Sequence, residues 1–240
     1  MAALAEGAIF VADAHHQEGS PHLPRLLDGL IANPPPQLFL MGDIFQILMG
    51  SVPSSYKPHA LILEQLRILS QKSTIFYFEG NHDIGLKYWA NLTQYATIYP
   101  RKCQPLAFAY QNQTYLLAHG DLFLGWGYEI YIRLLSSALS CKILGFLDRI
   151  SKLYPYIARP IKKKKIREWH LNPADWACFK QERLKHYHKG TQGKLDGVIE
   201  GHFHIQNAPQ DSLYCPLPAF YCTKQIATLT HKGLVISAIP

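Results

Sequence analysis

Five short clusters of polar residues in this chain have the side-chain types of metal ligands: Asp13-Ala14-His15, Gly42-Asp43, Gly80-Asn81-His82-Asp83, His119-Gly120-Asp121 and Gly201-His202-Phe203-His204. Imidazole, carboxylate and carboxamide together, with no thiolate, suit borderline divalent ions such as manganese, iron or zinc. Two such ions roughly 3.5–4 Å apart can clamp the attacking and leaving oxygens of a phosphoryl displacement and generate hydroxide near neutral pH. Each cluster alone has an ordinary explanation. Asp13 could cap a helix, Asp43 could be a loop carboxylate, Gly80-Asn81 could be a turn, and His119 could be a satisfied histidine at a strand end. His202 and His204 are harder to dismiss, because alternate strand positions share a face and two charged imidazoles there repel. Five such clusters in one chain point to a joint site.

The elements that must position these residues are legible in the hydropathy pattern. Each cluster follows an apolar, strand-like run: residues 8–12, 38–41, 75–78, 115–118 and 197–199. The clusters therefore sit just past the C-terminal ends of buried strands, where open α/β sheets build their sites. Residues 23–31 and 60–69 read as helices between strands, and Asn33-Pro34-Pro35-Pro36 marks a linker turn. Beyond residue 106 the pattern changes to strand pairs: 106–110 with 115–118 around Gln111-Asn112-Gln113, then 219–223, 225–230 and 234–238. The expected class is α/β, two packed sheets flanked by helices, with the metals at one edge.

In order and spacing, D-x-H, G-D, G-N-H-D, H and G-H-x-H resemble the signature of the calcineurin-like metallophosphoesterases. The resemblance implies a four-layer αββα sandwich with a core of residues 1–121 and 195–240. A helical cap is inserted at 122–194. It also implies that Asp13, His15 and His204 hold one metal, that Asn81, His119 and His202 hold the other, and that Asp43 bridges them. In this scheme His82 and Asp83 are the catalytic pair, His82 facing the phosphate and Asp83 orienting it.

The insertion carries two unlike halves. Its first half is crowded with large apolar residues, among them Trp126, Tyr131, Leu134, Ile143, Phe146 and Ile150, spread around more than one helical stripe. Either a hairpin packed on itself or an apolar groove for a lipid accounts for that. Its second half, residues 159–194, holds eleven Lys or Arg against three Asp or Glu, while the whole chain is only +7. Everything outside that segment is thus close to neutral, which argues against general nucleic-acid character. The run Lys162, Lys163, Lys164 and Lys165, with Arg167, is either a solvated face or a contact for anionic head groups or a substrate diphosphate.

An apolar and basic cap, together with Gly42-Asp43-Ile44-Phe45, is similar to the UDP-2,3-diacylglucosamine pyrophosphatases of lipid A synthesis. That resemblance implies hydrolysis of a lipid-linked nucleotide sugar to UMP and a lipid 1-phosphate with two divalent cations, manganese for preference. It makes Asn81, His82, Lys162 to Lys165 and Arg167 candidates for substrate contact. It also places the protein peripherally on the cytoplasmic face of the inner membrane, with no nucleic-acid partner. The best-known members of that group carry Gly-Asn-Arg-Asp where this chain has Gly80-Asn81-His82-Asp83. Another phosphoesterase acting on a small or nucleotide ester is the alternative. A non-catalytic scaffold of the same fold is a third reading, disfavoured because clustered carboxylates and imidazoles are costly to desolvate without metal.

Nothing else in the chain redirects this reading. At 240 residues it suffices for one core with an insertion. Residues 1–7 lack the basic start of a signal peptide, no run reads as a spanning helix, and five cysteines without Cys-x-x-Cys fit a reducing compartment.

Overall fold

The computed structural model describes residues 2–162, 165–190, 195–206, 208–209 and 211–239. The chain opens with β1 (Ala2–Ala3), β2 (Ile9–Val11), α1 (His22–Ala32), β3 (Gln37–Leu40), β4 (Leu48–Met49), α2 (Ala60–Leu69) and β5 (Thr74–Phe78). Next come β6 (Asp83–Ile84), α3 (Ala90–Thr93), β7 (Thr97–Tyr99), β8 (Leu106–Tyr110) and β9 (Gln113–Ala118). Four helices follow: α4 (Trp126–Leu135), α5 (Ala138–Ser151), α6 (Tyr154–Lys162) and α7 (Pro173–Gly190). The chain closes with β10 (Gly197–Glu200), β11 (Tyr214–Pro216), α8 (Phe220–Thr223), β12 (Gln225–Thr230) and β13 (Gly233–Ala238).

Two sheets face each other, in the orders β13-β12-β2-β3-β5-β7 and β1-β8-β9-β10-β11. The period-two alternation of the strands gives each sheet two apolar faces. Phe10, Phe39 and Phe76 are register partners on β2, β3 and β5, and their rings stack at 4.6 and 4.7 Å. They meet Phe108, Leu117 and Ile199 from the other sheet in the inter-sheet core. Each such aromatic pair adds about 0.5–1.5 kcal/mol beyond the area it buries. The intervening residues Val11, Leu38, Leu40 and Ile75 face outward against α1 and α2, where Leu23, Leu26, Leu27 and Leu30 form one buried helical stripe. On the far side, Leu116, Ala118 and Val198 pack under Trp176 and Tyr187 of α7. The result is the four-layer αββα sandwich expected from the sequence.

Two expectations change. Residues 219–223 do not form a strand; Phe220–Thr223 is a short helix, and a lone bridge from Ala219 to Ala12 is the only strand-like pairing there among the described residues. The stretch 122–194 also divides. Its α7, capped by Asn172 Oδ1 accepting the Asp175 N–H at 2.9 Å with Pro173 at the first position, is the outer layer of the sandwich. Only α4 to α6 stand off the core, in a separate cluster in which Tyr154 and Ala158 meet Ile47, Met49 and Val52. An ion-pair cluster and a hydrogen bond anchor that cap. Arg101 donates to Asp121 at 2.6 Å and to Glu129 of α4 at 2.8 and 3.0 Å. Asp148 of α5 accepts from the backbone N–H of Ser54 at 2.8 Å.

Candidate dinuclear metal centre

The C-terminal ends of β2, β3, β5, β9 and β10 meet at one edge of the sandwich, and the loops leaving them are lashed together by main-chain hydrogen bonds. Asp13 N–H donates to Gly42 O at 3.1 Å, His15 N–H to Asp43 O at 2.9 Å and Gly201 N–H to His119 O at 2.7 Å. These loops turn sharply. Asp13, His15, Asp43, His202 and His204 all have left-handed backbones, with φ between 40° and 73°, each costing of order 1–3 kcal/mol for a residue other than glycine. Such strain concentrates where side chains must be aimed. Gly80 serves the same end by omission: a Cβ there would lie 2.3 Å from Asp43 Oδ1 and 2.9 Å from His119 Nε2.

Three overlapping groups of ligand atoms result: Asp13, His15 and His204; Asp43, His119 and His202; and His15, Asp43 and His82. His204 Nε2 lies 3.2 Å from Asp13 Oδ1 and 3.3 Å from His15 Nε2. Asp43 stands between the first two groups, with Oδ2 at 4.0 Å from His15 Nε2 and Oδ1 at 3.5 Å from His119 Nε2. One carboxylate thus offers an oxygen to each side.

Backbone carbonyls fix the imidazole tautomers. Nδ1 of His119 meets Met41 O at 2.9 Å, Nδ1 of His204 meets Arg167 O at 2.9 Å, and Nδ1 of His82 meets Gln46 O at 2.6 Å. In the neutral ring, each nitrogen so engaged carries the proton and leaves Nε2 as the lone-pair atom, the arrangement that metal-ligating histidines adopt. His119 Nε2 and Asn81 Oδ1 are buried without a hydrogen-bond partner, a costly state that a cation relieves. The donor set fits two divalent cations.

The electrostatics describe a site with too many charges to leave bare. Burial pushes the His15 and His202 imidazoles down to about 4. Burial also acts to lower His119, but the surrounding Asp43, Asp13 and Asp121 carboxylates outweigh it and raise that ring to about 10. Asp43 opposes its own desolvation through His119 and His82, which hold it well below the usual carboxylate range.

The sequence profile of the calcineurin-like phosphoesterases matches residues 8–206. The chain belongs to that family. This phosphoesterase carries the ligand groups of a metal-dependent hydrolase. It is 32% identical over 118 residues to a UDP-2,3-diacylglucosamine hydrolase of Pasteurella multocida (strain Pm70), an overlap of 47% of each chain, so it spans about half the length of the curated relative it matches. Similar solved structures include an archaeal phosphodiesterase (11% identity, TM-score 0.48, covering 97% of this chain and 99% of that one). Another is the Escherichia coli phosphoesterase Yfce (14% identity, TM-score 0.45, covering 96% and 92%).

The fold brings Asp13, His15, Asp43, Asn81, His82, His119, His202 and His204 of this phosphoesterase to one edge. Asp83 has a different place. It does not orient His82, whose ring is set by Gln46 O. Its carboxylate is fully buried beneath the loop and accepts from the N–H groups of Ile44 at 2.7 Å and Phe45 at 3.2 Å and from Tyr77 OH at 2.7 Å. The chain turns inward after His82 to form β6 against β4, so Asp83 faces the core and braces the segment that carries Asp43. Burial, with Asp43 nearby, raises its carboxyl to about 8.

The cap cations sit differently from one another. Lys163 and Lys164 lie outside the described residues, Lys162 ends α6, Lys165 and Arg167 are exposed, and Arg167 reaches the site through its main-chain carbonyl. Residues that sequence reading passed over hold the second ligand group in place. Arg183 of α7 donates to Glu200 at 2.8 and 2.7 Å, to Leu122 O at 2.7 Å and to Gly120 O at 3.0 Å, clamping the segments that bear His119 and His202. Gln104 Oε1 accepts the His119 N–H at 2.7 Å. A charged residue, Glu200, ending an otherwise apolar strand was the available signal, since such a group is buried only when paired.

Proposed function

We propose that this phosphoesterase hydrolyses the diphosphate of UDP-2,3-diacylglucosamine to UMP and the diacylglucosamine 1-phosphate, with two manganese ions, while resting on the cytoplasmic face of the inner membrane. The observation that carries the reading is the outer face of α4 and α5. Trp126, Ile130, Leu134, Leu139, Phe146 and Ile150 are all at least half exposed there, interspersed with Arg133, Lys142 and Arg149. A soluble monomer rarely exposes so many large apolar side chains on two consecutive helices. Basic residues around apolar ones are what an interfacial helix offers to anionic lipid. Among the described residues no single helix is long and apolar enough to cross a membrane. The similarity to the Pasteurella hydrolase supports the same substrate.

Bound to the ligands described above, the two cations supply hydroxide near neutral pH and neutralise charge on the phosphoryl oxygens. The chain's own contribution is orientation and proton transfer. With Nδ1 held by Gln46 O, His82 presents Nε2 to the phosphate; in the imidazolium form, with both ring nitrogens protonated, it can pass the Nε2 proton to the leaving oxygen, which an arginine at this position could not do. That difference favours a second reading, a phosphoesterase of broader choice acting on a small or nucleotide ester.

One experiment separates them: release of UMP from UDP-2,3-diacylglucosamine in vesicles by the manganese-loaded protein, against hydrolysis of bis(p-nitrophenyl) phosphate. The lipid substrate is expected to turn over faster. Phe146→Asp/Ile150→Asp is expected to reduce lipid turnover and vesicle binding at least tenfold. Hydrolysis of the aryl diester with no UMP release would leave only the second reading.

A further inference from the structure

A polar cleft of about 570 Å³ opens against His15 on the side of the centre formed by α8 and the loop after β2, within the size range of small-molecule sites. Sharing His15 as a wall, it receives whatever group is attached to a phosphorus on the metals. Its lining is chemically unlike the cap. Glu18 and Glu168 set two carboxylates against the single ammonium of Lys224, so the cleft repels a second phosphate and instead offers acceptors to hydroxyl groups. Paired ribose hydroxyls are a common partner for such a carboxylate. Tyr221, 42% exposed as a residue, lines the same cleft, and an aromatic ring is a surface on which a planar base stacks.

The two flanks of the centre also differ. On the other side of the centre, Gln46, whose carbonyl holds His82, donates to Ile161 O of α6 at 3.2 Å. That flank leads into the apolar cap. The two substituents on the scissile phosphate must therefore differ in kind, one polar and hydroxylated, one apolar.

We infer that this cleft binds the nucleoside half of the substrate, with Glu168 receiving ribose hydroxyls and Tyr221 stacking on the base. The presence of a nucleotide rests on the proposed reaction; the cleft's preference for a ribosylated base over other phosphate esters does not. Titration calorimetry of UMP, inorganic phosphate and glucose 1-phosphate into the manganese-loaded full chain tests it. UMP is expected to bind at least tenfold more tightly than either other ligand. The ratio of phosphate to UMP dissociation constants is expected to fall at least fivefold in Glu168→Gln and, separately, in Tyr221→Ala. The ratio cancels any general change in metal affinity.

UMP binding no tighter than phosphate overturns the inference, as does glucose 1-phosphate matching UMP or a ratio unchanged in both variants. If the ratio falls as expected but UDP-2,3-diacylglucosamine is not cleaved, the cleft stands and the lipid substrate falls. Cleavage of that lipid with an unchanged ratio gives the reverse.

Discussion

His82 and Asp83 are neighbours in sequence but serve different purposes, and their variants should separate cleanly. His82→Ala removes a group beside His15 and Asp43 without removing a proposed member of either metal set, so kcat on an aryl phosphodiester is expected to fall by about 10²–10⁴ with bound metal retained. Above pH 8, where the Asp83 carboxyl is ionised, Asp83→Asn keeps the shape but puts an amide donor where Ile44, Phe45 and Tyr77 all donate. One buried donor is then left unpaired, costing about 1–3 kcal/mol and loosening the segment that carries Asp43. Its expected signature is a lower melting temperature and weaker metal retention. Elemental analysis and thermal melts on both variants check this, and a His82→Ala protein that loses its metal would end the distinction. The ligand types were readable because phosphoryl chemistry demands them after strand ends. Asp83's role was not, because its partners lie 6 to 39 residues away and spacing does not reveal which way a chain turns.

Elements carried by strong periodicity emerged as expected, notably α1, α2 and the strands before each cluster. The layer missed was α7, whose buried Trp176, Arg183 and Tyr187 are diluted by lysines and histidines, so the segment reads as a basic cap when only charge is counted. The buried guanidinium is what gives that helix its register on β10. Removing it in Arg183→Met strands the Glu200 carboxylate, also bonded by Tyr187 and Tyr214, in a fully buried position. Losing one partner of such a pair costs about 3–5 kcal/mol, whereas replacing both with apolar groups can be nearly neutral. Chemical denaturation should therefore show Arg183→Met strongly destabilised and Arg183→Met/Glu200→Leu/Tyr187→Phe/Tyr214→Phe, which also removes the two hydroxyls that donate to Glu200, substantially recovered. A single variant as stable as the parent would mean that the network contributes little to joining helix and sheet.

For the molecule as a whole, the protons trapped at the sheet edge make stability depend on both pH and metal. Burial holds His15, His16 and His202 down to about 4, so between pH 6.5 and 4 the unfolded chain takes up three protons that the folded chain refuses. Stability from these groups is present above 6.5 and lost on acidification. Asp83, raised by burial to about 8, and Glu79, also raised by burial, act oppositely by keeping their protons in the fold, but two groups do not offset three. Above pH 6.5 the balance reverses. His119, raised to about 10 chiefly by Asp43 against its own burial, and Asp83 both hold protons that the unfolded chain has released, so stability declines as pH rises through 8 and 10. Metal-free protein is thus expected to melt highest near pH 6.5. Metal binding requires His119 to be neutral, and a ligand that must lose a proton binds better as pH rises. With manganese the optimum should move upward, and the gain in melting temperature over the chelated protein should grow from pH 6 to pH 8. Melting temperatures of both forms from pH 4 to 10 check this. A chelated protein that keeps gaining stability to pH 9, or one whose profile manganese leaves unshifted, would show that these buried groups do not set the response.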